Sequence, residues 1–136
     1  MAFGVILLSY SLFSFQKASF DLKASMDRGK EIYLAYCITC HMENGEGIPT
    51  IYPPLAKSDY LMADKKRAIK QVLEGANGEM IVNGITYNNQ MAAFPLPDQE
   101  VSDVLNYIRN TWGNVGDPIL PQQVKVERQE LAEKIK

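Results

Sequence analysis

The chain has 136 residues, 46% of them hydrophobic and 22% charged, which describes one ordinary globular domain plus ends. A formal net charge of −2, with no cluster of basic residues, argues against nucleic acid or another polyanion as partner. No internal repeat or low-complexity tract is present.

Met1 to Phe15 contains no charged side chain, and Gln16-Lys17 ends the apolar run. A membrane span needs about 20 such residues, whereas the core of an export signal needs about 7–15. The segment has neither a basic start nor a clear small-x-small cleavage site. Residues 1–20 therefore read as a removed signal peptide or as an uncleaved N-terminal anchor, and either one puts the domain outside the cytoplasm.

The first helix is predicted from Ser25 as N-cap, with Asp27 in its first turn, through Tyr36. Gly29 inside it costs about 1 kcal/mol against alanine, so a packing reason is expected. Gly29 and Tyr33 lie four apart on one face, where a small residue beside an aromatic lets another helix cross closely.

Next comes Cys37-Ile38-Thr39-Cys40-His41, which holds both cysteines and the one histidine of the chain. A Cys-x-x-Cys-His run is the attachment signature of a c-type haem: two thioether bonds to the porphyrin, and the adjacent imidazole on the iron. The spacing puts both sulfurs on nearly the same side of one helical turn, where they can meet one edge of a flat ring. Three other readings are weaker. A zinc site would have to be completed from carboxylates alone. A thioredoxin-like dithiol would need an alternating β/α pattern around it. A disulfide here would close too small a loop to stabilise much.

Asn44 to Leu55 has no periodicity and is rich in Gly and Pro, which lets the chain pass close beneath a ring. An iron-bound histidine generally donates its other N–H to a carbonyl. Pro54, with Pro53 as the alternative, is the candidate, unless the pair only stiffens a turn. The second helix reads Asp64 (N-cap) to Glu74, with Gly75 as its stop. Its polar face of Lys65, Lys66, Arg67 and Lys70 is either simply solvated or, near an exposed haem edge, a guide for an acidic redox partner.

Ile81 to Thr86 centres on Asn83-Gly84, the signature of a tight hairpin. The third helix opens at Asp98-Gln99-Glu100 and carries an apolar stripe of Val101, Val104, Leu105, Ile108 and Trp112 up to Gly113. This stripe is the expected partner of Gly29 and Tyr33. Asn114 to Gln123 reads as an extended arm, and Val124 to Lys136 as a short charged helix.

The sixth iron ligand decides what such a centre does: methionine makes an electron carrier of raised potential, and an open position permits ligand binding or peroxide chemistry. Met42 adjoins His41 and cannot reach the opposite face. Met26 and Met62 sit in or beside helices, where methionine usually packs. Met91, in the irregular Tyr87 to Pro95 segment fifty residues beyond His41, is the favoured donor, with Met80 as the alternative.

Taken together, Cys37-x-x-Cys40-His41, Asn44-Gly45-x-Gly47, Tyr52-Pro53-Pro54-Leu55-Ala56, Tyr87 to Phe94 and Val104 to Asn114 resemble, in order, the class I monohaem cytochrome c domain of bacteria. The resemblance covers about Met26 to Asn114, so residues 25–114 form the expected domain and 115–136 a C-terminal extension. It implies an all-α fold with three main helices packed around one covalent haem c and a short β-hairpin. It also implies His41 and Met91 as axial ligands and Pro54 as the imidazole orienter. Many members have proline after the ligand methionine, where this chain has Ala92.

The expected function is outer-sphere electron transfer between redox proteins in the periplasm or on the outer face of the cytoplasmic membrane, with no catalytic residue. The expected crevice wall is Tyr33, Tyr36, Ile51, Tyr52, Leu55, Phe94 and Leu105. The rival expectation is a haem enzyme subunit or ligand sensor with a labile or open sixth position.

Overall fold

The computed structural model describes residues 19–134, so the N-terminal segment read as signal or anchor lies almost wholly outside the described residues. The elements run α1 (Leu22–Tyr36), α2 (Ile38–His41), α3 (Asp59–Ala63), α4 (Lys65–Glu74), β1 (Met80–Val82), β2 (Ile85–Tyr87), α5 (Asp98–Ile108) and α6 (Pro121–Lys134). No described helix is long and apolar enough to cross a membrane.

α1 begins earlier than its sequence suggests. Asp21, not Ser25, is the N-cap, and its carboxylate accepts from the Ala24 N–H at 3.0 Å. Ser25 is instead buried inside the helix, where its hydroxyl donates to Asp103 of α5 at 2.6 Å. The crossing of α1 on α5 is as close as Gly29 predicts: a Cβ there would sit 1.9 Å from the Asp103 carbonyl oxygen.

Around this crossing a polar network adjoins the apolar contact of Tyr33 with Tyr107. Arg28 forks onto Asp103 through Nε and Nη2 at 2.7 and 2.8 Å, and Gln99 donates to the same carboxylate at 3.0 Å. A buried charge is tolerated only when paired and hydrogen-bonded, and Asp103 is both. Asn106 continues the network into the C-terminal arm, donating to the Ile119 carbonyl at 2.9 Å and accepting from the Ile119 N–H at 2.7 Å.

That arm leads into α6, which starts three residues before the predicted Val124. Pro121 fits a first helical position, where no N–H is needed. Gln123 reaches back to the Leu120 N–H at 2.8 Å, the reciprocal half of a capping box. Ile119 and Val124 are fully buried and belong to the same apolar core as Tyr33, Ile69, Val101 and Leu105. The C-terminal segment thus packs on the rest of the chain instead of trailing from it.

α4 follows expectation, with Asp64 capping the Arg67 N–H at 3.1 Å and Gly75 ending it at φ 78°. The hairpin pairs Met80 with Tyr87 and Val82 with Ile85, and turns through Asn83 and Gly84 at φ 50° and 79°. Positive φ at both positions suits Asn-Gly.

α5 stops at Ile108, earlier than the stripe through Trp112 implies. Trp112 has φ 52° and Gly113 φ 88°, so the chain has already turned out of the helix. The indole still faces inward, with ring centroids 5.0 Å from Tyr33 and 5.4 Å from Tyr107.

Candidate haem crevice

The site is built on a loop that closes upon the cysteine motif. The Gly45 carbonyl accepts from Leu55 and Ala56 N–H at 2.7 and 2.8 Å, and the His41 carbonyl accepts from Gly47 N–H at 3.0 Å. Glycine is required at both turns: Gly45 has φ 65° with Trp112 carbon 2.5 Å from where a Cβ would stand, and Gly47 has φ 64° with the Tyr52 carbonyl oxygen at 2.3 Å. Asn114, just past α5, donates to the Leu55 carbonyl at 2.8 Å and to the Ile108 carbonyl at 2.7 Å. The far end of the loop is thereby tied to α5.

This closure sets the histidine. His41 Nδ1 lies 2.9 Å from the Pro53 carbonyl oxygen. A carbonyl only accepts, so Nδ1 carries the proton and Nε2 keeps a free lone pair. The contact expected of Pro54 is therefore made by Pro53. Successive carbonyls in an extended pair point in different directions, and only the loop fold selects one. Pro54 remains in the site as part of the cavity wall. Burial lowers the His41 pKa, opposed by the Pro53 hydrogen bond, and so favours the neutral imidazole that a metal requires.

Cys37, Cys40 and His41 share an apolar cavity of about 320 Å³, within the range of sites that hold prosthetic groups. Both thiols are free. Burial, with Cys40 beside it, pushes the Cys37 thiol up to about 11. Tyr52, Leu55 and Phe94 line the cavity as expected, as do Tyr36, Ile51 and Leu105. Tyr36 is 50% and Ile51 46% exposed, which puts them at the mouth. Tyr33 is absent from the wall. It sits wholly buried in the α1–α5 crossing, its hydroxyl donating to the Met42 carbonyl at 2.6 Å, because its face of α1 is the one that meets α5.

Of the methionines in the described residues, Met80 and Met91 line the cavity, and Met26, Met42 and Met62 do not. Met91 is pinned through its backbone: its N–H donates to the Ala76 carbonyl at 2.8 Å, and its carbonyl accepts from the Ala76 N–H at 3.0 Å. The Phe94 N–H donates to the Val72 carbonyl at 3.0 Å. The loop is therefore fastened to the end of α4 on both sides of Ala92. Sequence reading had no signal for these partners beyond Gly75, whose φ of 78° lets the chain turn into the bridge.

Two thiols at one edge, a neutral imidazole with its lone pair free, methionine sulfur in the same pocket and an apolar wall are together the donor set that a covalently held iron porphyrin needs. In agreement, residues 26–112 match the cytochrome c family model. The chain is 35% identical over 126 residues to cytochrome c-552 of Thermus thermophilus, covering 76% of this chain and 95% of that protein. It is 30% identical over 112 residues to cytochrome c6 of Pyropia yezoensis, covering 77% of this chain and 88% of that protein. Over 88 residues it is 34% identical to the cytochrome c subunit of a quinone alcohol dehydrogenase from Gluconobacter oxydans, covering 63% of this chain and 18% of the subunit.

The chain belongs to the cytochrome c family, with the monohaem class I domain as its class. It is a haem-based electron-transfer protein, and its cofactor is covalently bound haem c.

Proposed function

We propose that the chain is an exported electron carrier in which Cys37 and Cys40 hold the haem by thioether bonds and His41 and Met91 are its axial ligands. When bound, the haem supplies an iron that alternates between ferric and ferrous states. The protein's part is to keep both ligands in place, so that little reorganises between the two states.

The observation that carries the reading is the pairing of a histidine whose Nδ1 is engaged by Pro53 with a methionine whose backbone is bonded twice to Ala76. Met91 is preferred to Met80 on position. Met80 lines a second, polar cleft as well as the crevice, whereas Met91 lines only the crevice. A thioether is a soft donor that favours ferrous iron, and an apolar wall disfavours the extra charge of the ferric centre; both raise the potential.

The partners are redox proteins that approach the mouth at Tyr36 and Ile51, in the periplasm or at the outer face of the membrane. Export is supported by the attachment motif and by the apolar run before residue 16. Similarity to a dehydrogenase cytochrome subunit supports a second setting, in which the same domain relays electrons inside a larger complex.

The test is the ferric absorption spectrum of haem-loaded protein. Wild type and Met80→Ala are expected to show the weak long-wavelength sulfur-to-iron band, and Met91→Ala to lack it. Retention of the band in Met91→Ala would transfer the ligand role elsewhere.

A further inference from the structure

The apolar crevice has a polar exit. Tyr60, Gln71, Ala76 and Met80 line both the crevice and an open cleft of about 390 Å³ whose other walls include Arg67, Lys70, Glu74 and Glu79. Haem carries two carboxylates on the edge opposite its two vinyl groups. With the vinyl edge attached at Cys37 and Cys40, those carboxylates would lie across the ring from the cysteines. Among the described residues, no lysine or arginine lines the crevice itself, and a carboxylate left there without a partner would be strongly unfavourable.

The cations of α4 are not equivalent. Lys65 meets Asp117 at 3.6 Å, Lys66 meets Glu127 at 3.1 Å, and Lys70 meets Glu74 at 3.7 Å. Among the described residues, Arg67 has no carboxylate within 4.0 Å. Its guanidinium instead lies 3.7 Å over the Tyr60 ring and donates to the Tyr60 carbonyl. On the crevice side, Gln71 donates to the Tyr60 hydroxyl at 3.3 Å. Tyr60 is thus held between an uncompensated cation and an amide at the point where the crevice opens.

We propose that Tyr60, Gln71 and Arg67 form the seat of the haem carboxylates, Tyr60 and Gln71 donating hydrogen bonds and Arg67 supplying the positive charge. This rests on the haem reading of the crevice. Arg67 is then a tuning residue: its charge opposes the extra positive charge of ferric iron and offsets the carboxylates that would stabilise it.

The test is potentiometric titration of haem-loaded wild type, Arg67→Gln, Arg67→Lys, Tyr60→Phe and Lys66→Gln, with the sulfur-to-iron band recorded for each. Arg67→Gln is expected to lower the ferrous-to-ferric equilibrium constant about three- to tenfold, the larger value being 59 mV for a one-electron couple. Arg67→Lys keeps most of the wild-type potential. Tyr60→Phe, which leaves the ring beneath Arg67, shifts it the same way by a smaller factor. Lys66→Gln removes the same formal charge from the same helix and is expected to shift it less than Arg67→Gln. The proposal is overturned if Arg67→Gln moves the potential no more than Lys66→Gln, or if Arg67→Lys falls as far as Arg67→Gln. Absence of the band from wild type would instead strike the ligation reading beneath it.

Discussion

Ala76 and Met91 exchange two backbone hydrogen bonds, of 3.0 and 2.8 Å, across a gap in which neither belongs to a strand. This isolated bridge, at the foot of α4, fixes the backbone from which the Met91 side chain enters the crevice. Gly75 makes it possible: at φ 78°, a Cβ there would lie 2.3 Å from the Met91 carbonyl oxygen. Gly75→Ala is therefore expected to weaken or abolish the sulfur-to-iron band with the haem still attached. An unchanged ferric spectrum in that variant would show that the loop does not depend on this turn.

A second prediction concerns the helix crossing. Gly29→Ala sets a methyl against the backbone of Asp103, which cannot move like the end of a side chain, so α1 and α5 must part. The expected loss is about 1–3 kcal/mol, read as a lower denaturant midpoint, with Tyr33 and Trp112 fluorescence reporting the loosened contact. The larger Gly29→Leu is expected to prevent folding.

The Asp103 carboxylate is the next. It receives Ser25, Arg28 and Gln99, and its side chain is 2% exposed. Asp103→Ala strands the buried Ser25 hydroxyl and the Arg28 fork. Because Arg28 is 52% exposed and can turn to water, the expected cost is about 2–3 kcal/mol, the low end for a broken buried pair. Chemical denaturation checks it, and a loss under 1 kcal/mol would mean that water replaces the network.

Tyr33 gives a pH dependence. Burial holds its phenol well above the ordinary tyrosine range, so the folded chain keeps a proton that the unfolded chain releases from about pH 10. The stability this contributes is complete below that pH and falls as pH rises further. Tyr33→Phe removes the hydrogen bond to the Met42 carbonyl, at a cost of about 1 kcal/mol near neutrality, and flattens the alkaline decline. Tyr107, shifted up by burial as well, leaves a residual slope. Denaturant midpoints for both proteins between pH 7 and 11 test this, and parallel declines would contradict it.

Removal of the haem anchor is the fifth. The crevice is apolar and open, and in a domain of this size the haem would supply a large share of the apolar surface buried around it. Cys37→Ala/Cys40→Ala is expected to yield unfolded or molten protein, visible as lost near-ultraviolet circular dichroism. A cooperative thermal transition in that variant would show that the polypeptide core suffices.

How much of this the sequence carried depends on how local each feature is. The cysteine and histidine spacing, the Asp64 cap, the Gly75 stop and the Asn83-Gly84 turn are legible because their chemistry is complete within a few adjacent residues. Ser25 misled because Asp21 is equally able to cap, and burial against Asp103, seventy-eight residues away, decides between them. Trp112 continues the apolar period of α5 although its backbone has left the helix. Pro53 and Pro54 are chemically alike, and the return of Leu55 and Ala56 to Gly45 aims one carbonyl at His41. The packing of Ile119 and α6 depends on Asn106, a partner that no pattern in the tail announces.

The most direct test of a sealed coordination shell is the addition of carbon monoxide to the reduced, haem-loaded wild-type protein. If His41 and Met91 occupy both axial positions, the visible spectrum is expected to stay unchanged over minutes at neutral pH. Rapid formation of a carbonyl adduct would contradict it and would make the centre a ligand-binding or catalytic one.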